Sequence, residues 1–339
     1  MPFIKAIEQF NSVAIVGMAK NTGKTTCLNY VINHLQDEGK KIALTSIGVD
    51  GEERDVLYDT PKPRIVLHKG MIFMTSEKDF EQREFPAELL SVSERVTPLG
   101  CLVTARAEGS GKVVLSGPSD SAWLQEEIAA MQAYGAEITL IDGALSRMSL
   151  ASPAVTDAMI LCTGAACSAQ LPELIRRTKF RCHLIDLPQA SASLYHEFFP
   201  LNSGVWTLTD NGEPVQKIAK TVFTANNNWQ QTLSENLTIY VSGAVTDRFL
   251  KNLYGNMRLV VRDFTKLFVS MPTCERFIRQ GGRIEVLQKA KLLAVCTNPV
   301  SPEGARLNPE MLREQMQEAL QLPVYDIHLT PAPLHRRGD

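Results

Sequence analysis

A chain of 339 residues exceeds what one hydrophobic core usually serves, so two domains are expected, with one large α/β domain as the alternative. With 44% hydrophobic and 21% charged residues it has the make-up of an ordinary globular protein, which excludes the disordered and fibrous classes. A net charge of -2 excludes the strong positive field that holds a nucleic-acid backbone by counterion release, so no nucleic-acid partner is expected.

The N-terminal stretch offers only the short apolar run Val13 to Val16 before a polar loop, and no run long enough to span a bilayer occurs elsewhere. These features predict a cytoplasmic protein without a membrane partner. The seven cysteines (Cys27, Cys101, Cys162, Cys167, Cys182, Cys274 and Cys296) are scattered without a C-x-x-C pair and read as reduced, mostly buried small hydrophobes.

Val13-Ala14-Ile15-Val16 is the kind of β-branched run that makes a buried parallel strand, and it leads straight into a polar loop. Leu28, Val31, Ile32 and Leu35 recur at i, i+3, i+4 and i+7, which predicts a helix ending near Gly39. Ile42 to Ile47 completes a βαβ unit. From Asp50 to about Ser116 the pattern predicts an antiparallel insertion of two hairpins. One pairs Arg64 to Leu67 with Met71 to Met74 around His68-Lys69-Gly70; the other pairs Cys101 to Ala105 with Lys112 to Leu115 around Glu108-Gly109-Ser110-Gly111. A helix with Leu124, Ile128 and Met131 on one face ends at Gly135 and leads to a strand from Glu137 to Ile141. Ala158 to Thr163 and Arg181 to Ile185 read as further parallel strands.

The segment Leu187 to Ser203, with Pro188 and Pro200 near its ends, is the expected domain boundary, and its middle fits a short helix. Beyond it, Thr238 to Ser242, a helix around Phe249 to Tyr254 and Arg258 to Val261 form one βαβ-like unit. Lys291 to Cys296, a helix from Pro309 to Leu320 and Pro323 to Ile327 form another. The expected organisation is a nucleotide-binding domain over residues 1–190, with the hairpin insertion at 50–116, and a C-terminal α/β domain over 200–339.

Gly17-Met18-Ala19-Lys20-Asn21-Thr22-Gly23-Lys24-Thr25-Thr26 lies between the first strand and the first amphipathic helix, the setting of a G-x-x-x-x-G-K-[ST] phosphate loop. Backbone N–H groups of such a loop, with the positive end of the helix, cradle phosphate oxygens. On this reading Gly17, Asn21, Thr22, Gly23, Lys24, Thr25 and Thr26 bind a purine nucleoside triphosphate. Gly23 permits close backbone approach, Lys24 reaches the β- and γ-phosphates, and the Thr25 hydroxyl ligates Mg²⁺. The usual spacing puts the first glycine at position 18, which is Met18; the glycine here is Gly17, so the loop is one residue longer or opens differently. No N-K-x-D stretch, the guanine-reading motif of most P-loop switches, is present, which favours ATP over GTP. The predicted fold class is therefore α/β: a P-loop NTPase core with a parallel sheet and an antiparallel insertion, followed by a second α/β domain.

Ile138-Thr139-Leu140-Ile141-Asp142-Gly143 puts a carboxylate at the end of a neighbouring strand, where the Mg²⁺ shell needs one. Asp142 is the Walker B candidate, the alternative being a capping aspartate in a tight Asp-Gly turn. Asp50, Glu52, Glu53 and Asp55 follow the second strand. Asp50 is a candidate for orienting the attacking water or an acceptor substrate, and a solvated acidic loop fits equally. Arg147 fits either a contact to the triphosphate or a surface ion pair. The candidate catalytic residues are thus Lys24, Asp142 and Asp50, and the candidate metal ligands Thr25 and Asp142. His68, His183 and His196 lack partner spacing, so no histidine site is expected.

Several phrases stand out together: Ala19 to Thr26, Ser46-Ile47-Gly48-Val49-Asp50-Gly51-Glu52-Glu53, Thr60-Pro61-Lys62-Pro63-Arg64-Ile65, Ile141-Asp142-Gly143-Ala144-Leu145-Ser146-Arg147 and Asn298-Pro299-Val300-Ser301-Pro302-Glu303-Gly304. The chain resembles, through them, the KamB-type subunit of the lysine 5,6-aminomutase reactivase of lysine-fermenting bacteria. The matches are dense in the first half of the chain and sparse afterwards. The resemblance implies an ATP-hydrolysing, chaperone-like subunit acting on an adenosylcobalamin- and pyridoxal-phosphate-dependent lysine 5,6-aminomutase, together with a second subunit resembling MutS ATPases. Such a mutase is inactivated when the cobalamin loses its adenosyl group yet stays bound, and opening the enzyme to release it calls for an ATP-driven cycle of differential affinity. Two other readings of the loop remain open: a small-molecule ligase or kinase of the dethiobiotin-synthetase kind, and a nucleotide-binding switch or structural subunit without significant turnover.

Overall fold

The computed structural model describes residues 2–46, 65–144, 152–208, 216–223 and 237–326. The chain is mixed α/β and divides into two compact units, Met1–Lys179 with Leu292–Asp339, and Phe180–Lys291.

The first unit opens with helix α1 (Pro2–Ile7) and strand β1 (Ser12–Gly17), which is buried along its whole length as its apolar run requires. Helix α2 (Lys24–Asp37) buries Leu28, Val31, Ile32 and Leu35, the stripe that its spacing predicts. Full burial of an aliphatic side chain is worth about 1.5–3 kcal/mol, so this stripe decides which face the helix turns to the sheet. The chain leaves α2 through Gly39 at φ 73, a left-handed conformation open to glycine without steric cost. Strands β2 (Ile42–Ser46), β3 (Ile65–Leu67) and β4 (Ile72–Ser76), the short helix α3 (Glu77–Glu81), and strands β5 (Ala87–Thr97), β6 (Gly100–Ala107) and β7 (Gly111–Val113) come next. Helix α4 (Ser121–Ala133) starts at Asp120, whose carboxylate accepts a hydrogen bond from the Trp123 amide at 2.9 Å. Strands β8 (Ile138–Ala144) and β9 (Ala158–Gly164) and helix α5 (Leu171–Ile185) follow.

The second unit contains helix α6 (Ala192–Phe198), strands β10 (Val205–Leu208), β11 (Gln216–Ala219), β12 (Thr238–Val241) and β13 (Val245–Thr246), helix α7 (Asp247–Lys251), strands β14 (Arg258–Val261) and β15 (Leu267–Phe268), helix α8 (Met271–Arg279) and strand β16 (Arg283–Val286). Its sheet runs β11-β10-β12-β14-β16, with β12, β14 and β16 parallel and the other two antiparallel. Ile239, Val241, Leu259 and Val261 pack with Phe249, Leu250 and Phe277 of α7 and α8 on one face. The alternate residues Tyr240 and Val260 meet Leu194 and Phe198 of α6 on the other, as the two-residue period of a strand dictates. The chain then returns to the first unit with strand β17 (Leu292–Asn298), helix α9 (Pro309–Leu320) and strand β18 (Val324–Asp326).

The sheet of the first unit has the order β18-β17-β9-β1-β8-β2-β4-β6-β5 among the described residues. It is parallel from β18 to β4, and β6 and β5 close it as antiparallel strands. Ile42 and Leu44 share a core with α1 and α2, whereas Ala43 between them packs with Trp123 and Met131 of α4. Both faces are thus covered, which is the usual condition of parallel strands.

Four expectations need correction. Residues 292–326 do not belong to a C-terminal domain: β17 pairs with β9 and β18 inside the first sheet, so the second unit is an insertion between β9 and β17. The expected hairpins do not form either. β3 pairs with β7, and β4 lies between β2 and β6, so the turn at His68-Lys69-Gly70 joins strands of different sheets. The hairpin partner of β6 is β5, joined to it through a turn at Gly100 with φ 93, and β5 escapes pattern reading because most of its residues are polar or exposed. Finally, Arg181 to Ile185 is the end of α5 rather than a strand. Leu174, Thr178, Cys182 and Ile185 are all buried, and their spacing is helical. The 50–64 part of the expected insertion lies outside the described residues.

Candidate functional site

The sheet's strand order reverses about β1, since the chain moves to one side of it for β8 and β2 and to the other for β9 and β17. In open parallel α/β sheets, ligands bind outside the carboxyl ends of strands at such a switch point. The loop from Gly17 to Gly23 occupies that position.

Its backbone is held in a specific shape. Met18 N donates to Cys162 O at 2.8 Å, which prolongs the β1 ladder by one bond. The chain then turns so tightly that Thr22, 2% exposed, donates its hydroxyl to Ala19 O at 3.0 Å. A Cβ on Gly17 would lie 2.7 Å from that hydroxyl oxygen, so the turn needs glycine there. Asn21 and Gly23 both have positive φ, 61° and 82°, in the region where asparagine and glycine are the tolerated residues. Gly23, the N-cap of α2, makes no side-chain hydrogen bond to the first amides of the helix, and those amides, including those of Lys24, Thr25 and Thr26, carry its partial positive charge. Lys24, Thr25 and Thr26 are half-buried in that first turn.

Asp142 sits on β8, directly beside β1 and opposite Ile15 in register. Its Oδ1 lies 2.8 Å from Lys24 Nζ, and the two side chains are 17% and 24% exposed. Asp142 is therefore a strand residue, not the cap of a tight turn. On its other side Ser46, the last residue of β2, donates its hydroxyl to the Asp142 carbonyl at 3.2 Å. Gly117 packs onto the Ser46 carbonyl so closely that a Cβ would stand 1.8 Å from that oxygen. Asp50, the acidic cluster Glu52, Glu53 and Asp55, and Arg147 lie outside the described residues.

Beneath the loop three buried thiols meet. Cys27 Sγ is 3.5 Å from Cys296 Sγ, and Cys162 stands in register with both Gly17 and Cys296. Hydrogen bonding to Cys162 pushes the Cys27 and Cys296 thiols well above their ordinary range, and burial adds to the rise. The thiols are thus core groups, as their scatter in the sequence implies, and the half-buried Cys101 and Cys167 are the accessible ones.

The site also contains a residue to which the sequence reading assigns no role. Asn298, the last residue of β17, donates from Nδ2 to Asn21 O at 3.1 Å, and its Cβ would be 3.1 Å from a Cβ on Gly23. The signal for it is the phrase Asn298-Pro299-Val300, which falls within the expected C-terminal domain. Comparison of the chain with protein-family models, with curated proteins and with solved structures returns no match. Among the described residues no helix is long and apolar enough to cross a membrane.

Proposed function

We propose that the Gly17 to Thr26 segment is a P-loop binding MgATP, and that the chain is the ATP-hydrolysing subunit of a reactivating chaperone for an adenosylcobalamin-dependent lysine 5,6-aminomutase. The observation that carries the nucleotide part is the Lys24–Asp142 pair, 2.8 Å apart beside the start of α2 at the sheet's switch point, where the N-cap Gly23 makes no side-chain hydrogen bond. The residues fit the ligand: Gly17 and Gly23 let the backbone turn tightly ahead of α2, where a Cβ would meet Thr22 or Asn298, and the Asp142 oxygen held by an ammonium group is one that a divalent cation can take over. Lys24 would hold the phosphates together with the amides of the loop, and Thr25 and Asp142 would hold Mg²⁺. Bound Mg²⁺ supplies charge neutralisation on the phosphates. The neighbouring carboxylate keeps Lys24 oriented along β8 until an anion competes for it.

The reactivase part rests on the sequence phrases Thr60 to Ile65 and Asp142 to Arg147, alongside the loop. It is tested by inactivating the mutase through turnover, then adding this chain, a MutS-like partner subunit, free adenosylcobalamin, Mg²⁺ and either ATP or a non-hydrolysable analogue. Activity returns only with ATP and both subunits. Recovery that is equally fast without this chain, or with its Lys24→Ala form, contradicts the reading. Turnover that depends on a small metabolite points to a ligase or kinase, and tight binding without turnover even beside the partners points to a switch subunit.

A further inference from the structure

The amide of Asn298 is fixed at both ends. Its Oδ1 accepts from the Val300 amide at 3.1 Å, and its Nδ2 donates to the Asn21 carbonyl at 3.1 Å. Exchanging the two ends would set an oxygen against a carbonyl and an NH₂ against an N–H, so the hydrogen bonds settle the orientation. The main chain of Asn298 is fixed as well, because its carbonyl accepts from Ala165 N at 2.9 Å. Gly164 lies against that carbonyl at a distance where a Cβ would come within 2.1 Å of the oxygen. A rigid side chain from β17 therefore reaches a loop 277 residues earlier in the chain.

What that contact controls follows from the geometry of a peptide bond. The described residues contain no cis peptide, and in a trans peptide the C=O and the next N–H point to opposite sides. With the Asn21 carbonyl turned to Asn298, the Thr22 N–H must face away from Asn298. A flip of this peptide would replace that N–H by a carbonyl oxygen on the side turned away from Asn298. The left-handed φ of Asn21 is one that asparagine adopts at only modest cost, so the backbone by itself does not enforce one orientation.

We propose that Asn298 is a positioning residue for the phosphate loop: it locks the Asn21–Thr22 peptide with its N–H on the anion side and walls Gly23 from the flank. This rests on the reading of the loop as a phosphate site. The partner of Asn298 is the loop itself and not the nucleoside, so its removal weakens inorganic tripolyphosphate and ATP alike. A neutral hydrogen bond contributes modestly, and losing this one lowers affinity about three- to tenfold.

The experiment titrates MgATP and magnesium tripolyphosphate by calorimetry into wild type, Asn298→Ala and Asn298→Asp, and records the melting temperature of each without ligand. Asp keeps the size of the side chain and the acceptor for Val300 N but cannot donate to Asn21 O, so it separates the lock from simple packing. Both variants are expected to lose affinity for both ligands, Asp at least as much as Ala, while the ligand-free melting temperature falls by no more than about 4 °C. Undiminished tripolyphosphate binding by Asn298→Asp overturns the proposal, as does a loss confined to ATP, which would make Asn298 a nucleoside contact. Wild type that binds neither ligand removes the phosphate-site reading and the proposal with it, whereas wild-type binding that survives both substitutions removes the proposal alone.

Discussion

Lys24 Nζ and Asp142 Oδ1 are 2.8 Å apart, so the lysine at the start of α2 is already paired with the carboxylate of the adjacent strand. In the proposed nucleotide site a triphosphate would have to draw this lysine away, and a divalent cation would then take its place on Asp142. Ligand and metal binding are on this account coupled through one ion pair.

The first prediction follows directly. Asp142→Asn removes both the competitor for Lys24 and a negative charge near the phosphates. At an effective dielectric of about 20, one charge at a few ångströms is worth a few kcal/mol before screening, so Mg²⁺-free ATP should bind about tenfold more tightly than to wild type. Mg²⁺ should then add little affinity, and hydrolysis should fall to a small fraction. Titrations in chelator and in Mg²⁺ check the affinities, and a wild-type hydrolysis rate in the variant would mean that Asp142 does not serve the metal.

Gly17→Ala places a methyl group 2.7 Å from Thr22 Oγ1, inside the turn closed by the Thr22–Ala19 hydrogen bond. The strain should cost about 1–3 kcal/mol of stability and should lower nucleotide affinity with it. Gly243→Ala is the control, since a Cβ there meets nothing within 4 Å. Equal denaturation midpoints for the two variants would show that the loop does not hold the turn described.

A chain ended at Lys291 should not fold its first unit, although the second unit stays whole. It lacks β17, an interior strand between β9 and β18 whose Ala294, Val295 and Cys296 are at most 1% exposed. Loss of these contacts bares the edge of β9 and the apolar surface beside it. Circular dichroism melts should keep only the transition of the second unit, with a much smaller cooperative amplitude than wild type, and a melt of wild-type amplitude per residue near the wild-type temperature would contradict the assignment of β17 to the first unit.

Thiol labelling gives a simple check on the core. Under native conditions only Cys101 and Cys167 should react, with the other five protected until denaturation. Burial pushes the Cys167 thiol above its ordinary range, which lowers its thiolate fraction at mildly alkaline pH, so it should label more slowly than free cysteine. Rapid native labelling of Cys27 or Cys296 would mean that the layer beneath the loop opens.

What could be read in the sequence was whatever is written in consecutive residues. Val13 to Val16, the stripe Leu28, Val31, Ile32 and Leu35, and the glycine loop between them each carry their own signal, and they appear where expected. Helix α9 likewise announces itself through Asn308, whose side chain caps Met311 N, and through Pro309 in its first turn. Long-range pairing leaves no such trace. Leu292–Asn298 looks the same whether it joins the nearer or the farther sheet, and only the register of Cys296 with Cys162 shows which. β5 was hidden for a different reason: an edge strand covered on few sides can be built from Glu88, Ser91, Ser93, Glu94 and Arg95 without an apolar alternation. The place of the loop between β1 and α2 and of Asp142 on β8 was legible, while the contact of Asn298 with the loop was not, because it depends on that unseen strand.

The most direct test of the nucleotide site is calorimetric titration of MgATP into the wild-type chain and into Lys24→Ala. Loss of a charge-assisted contact to phosphate should weaken binding by about tenfold or more. The account predicts saturable, stoichiometric binding to wild type and that loss in the variant, with both chains folded by circular dichroism. Equal affinity of the two chains, or no binding by wild type, would contradict it.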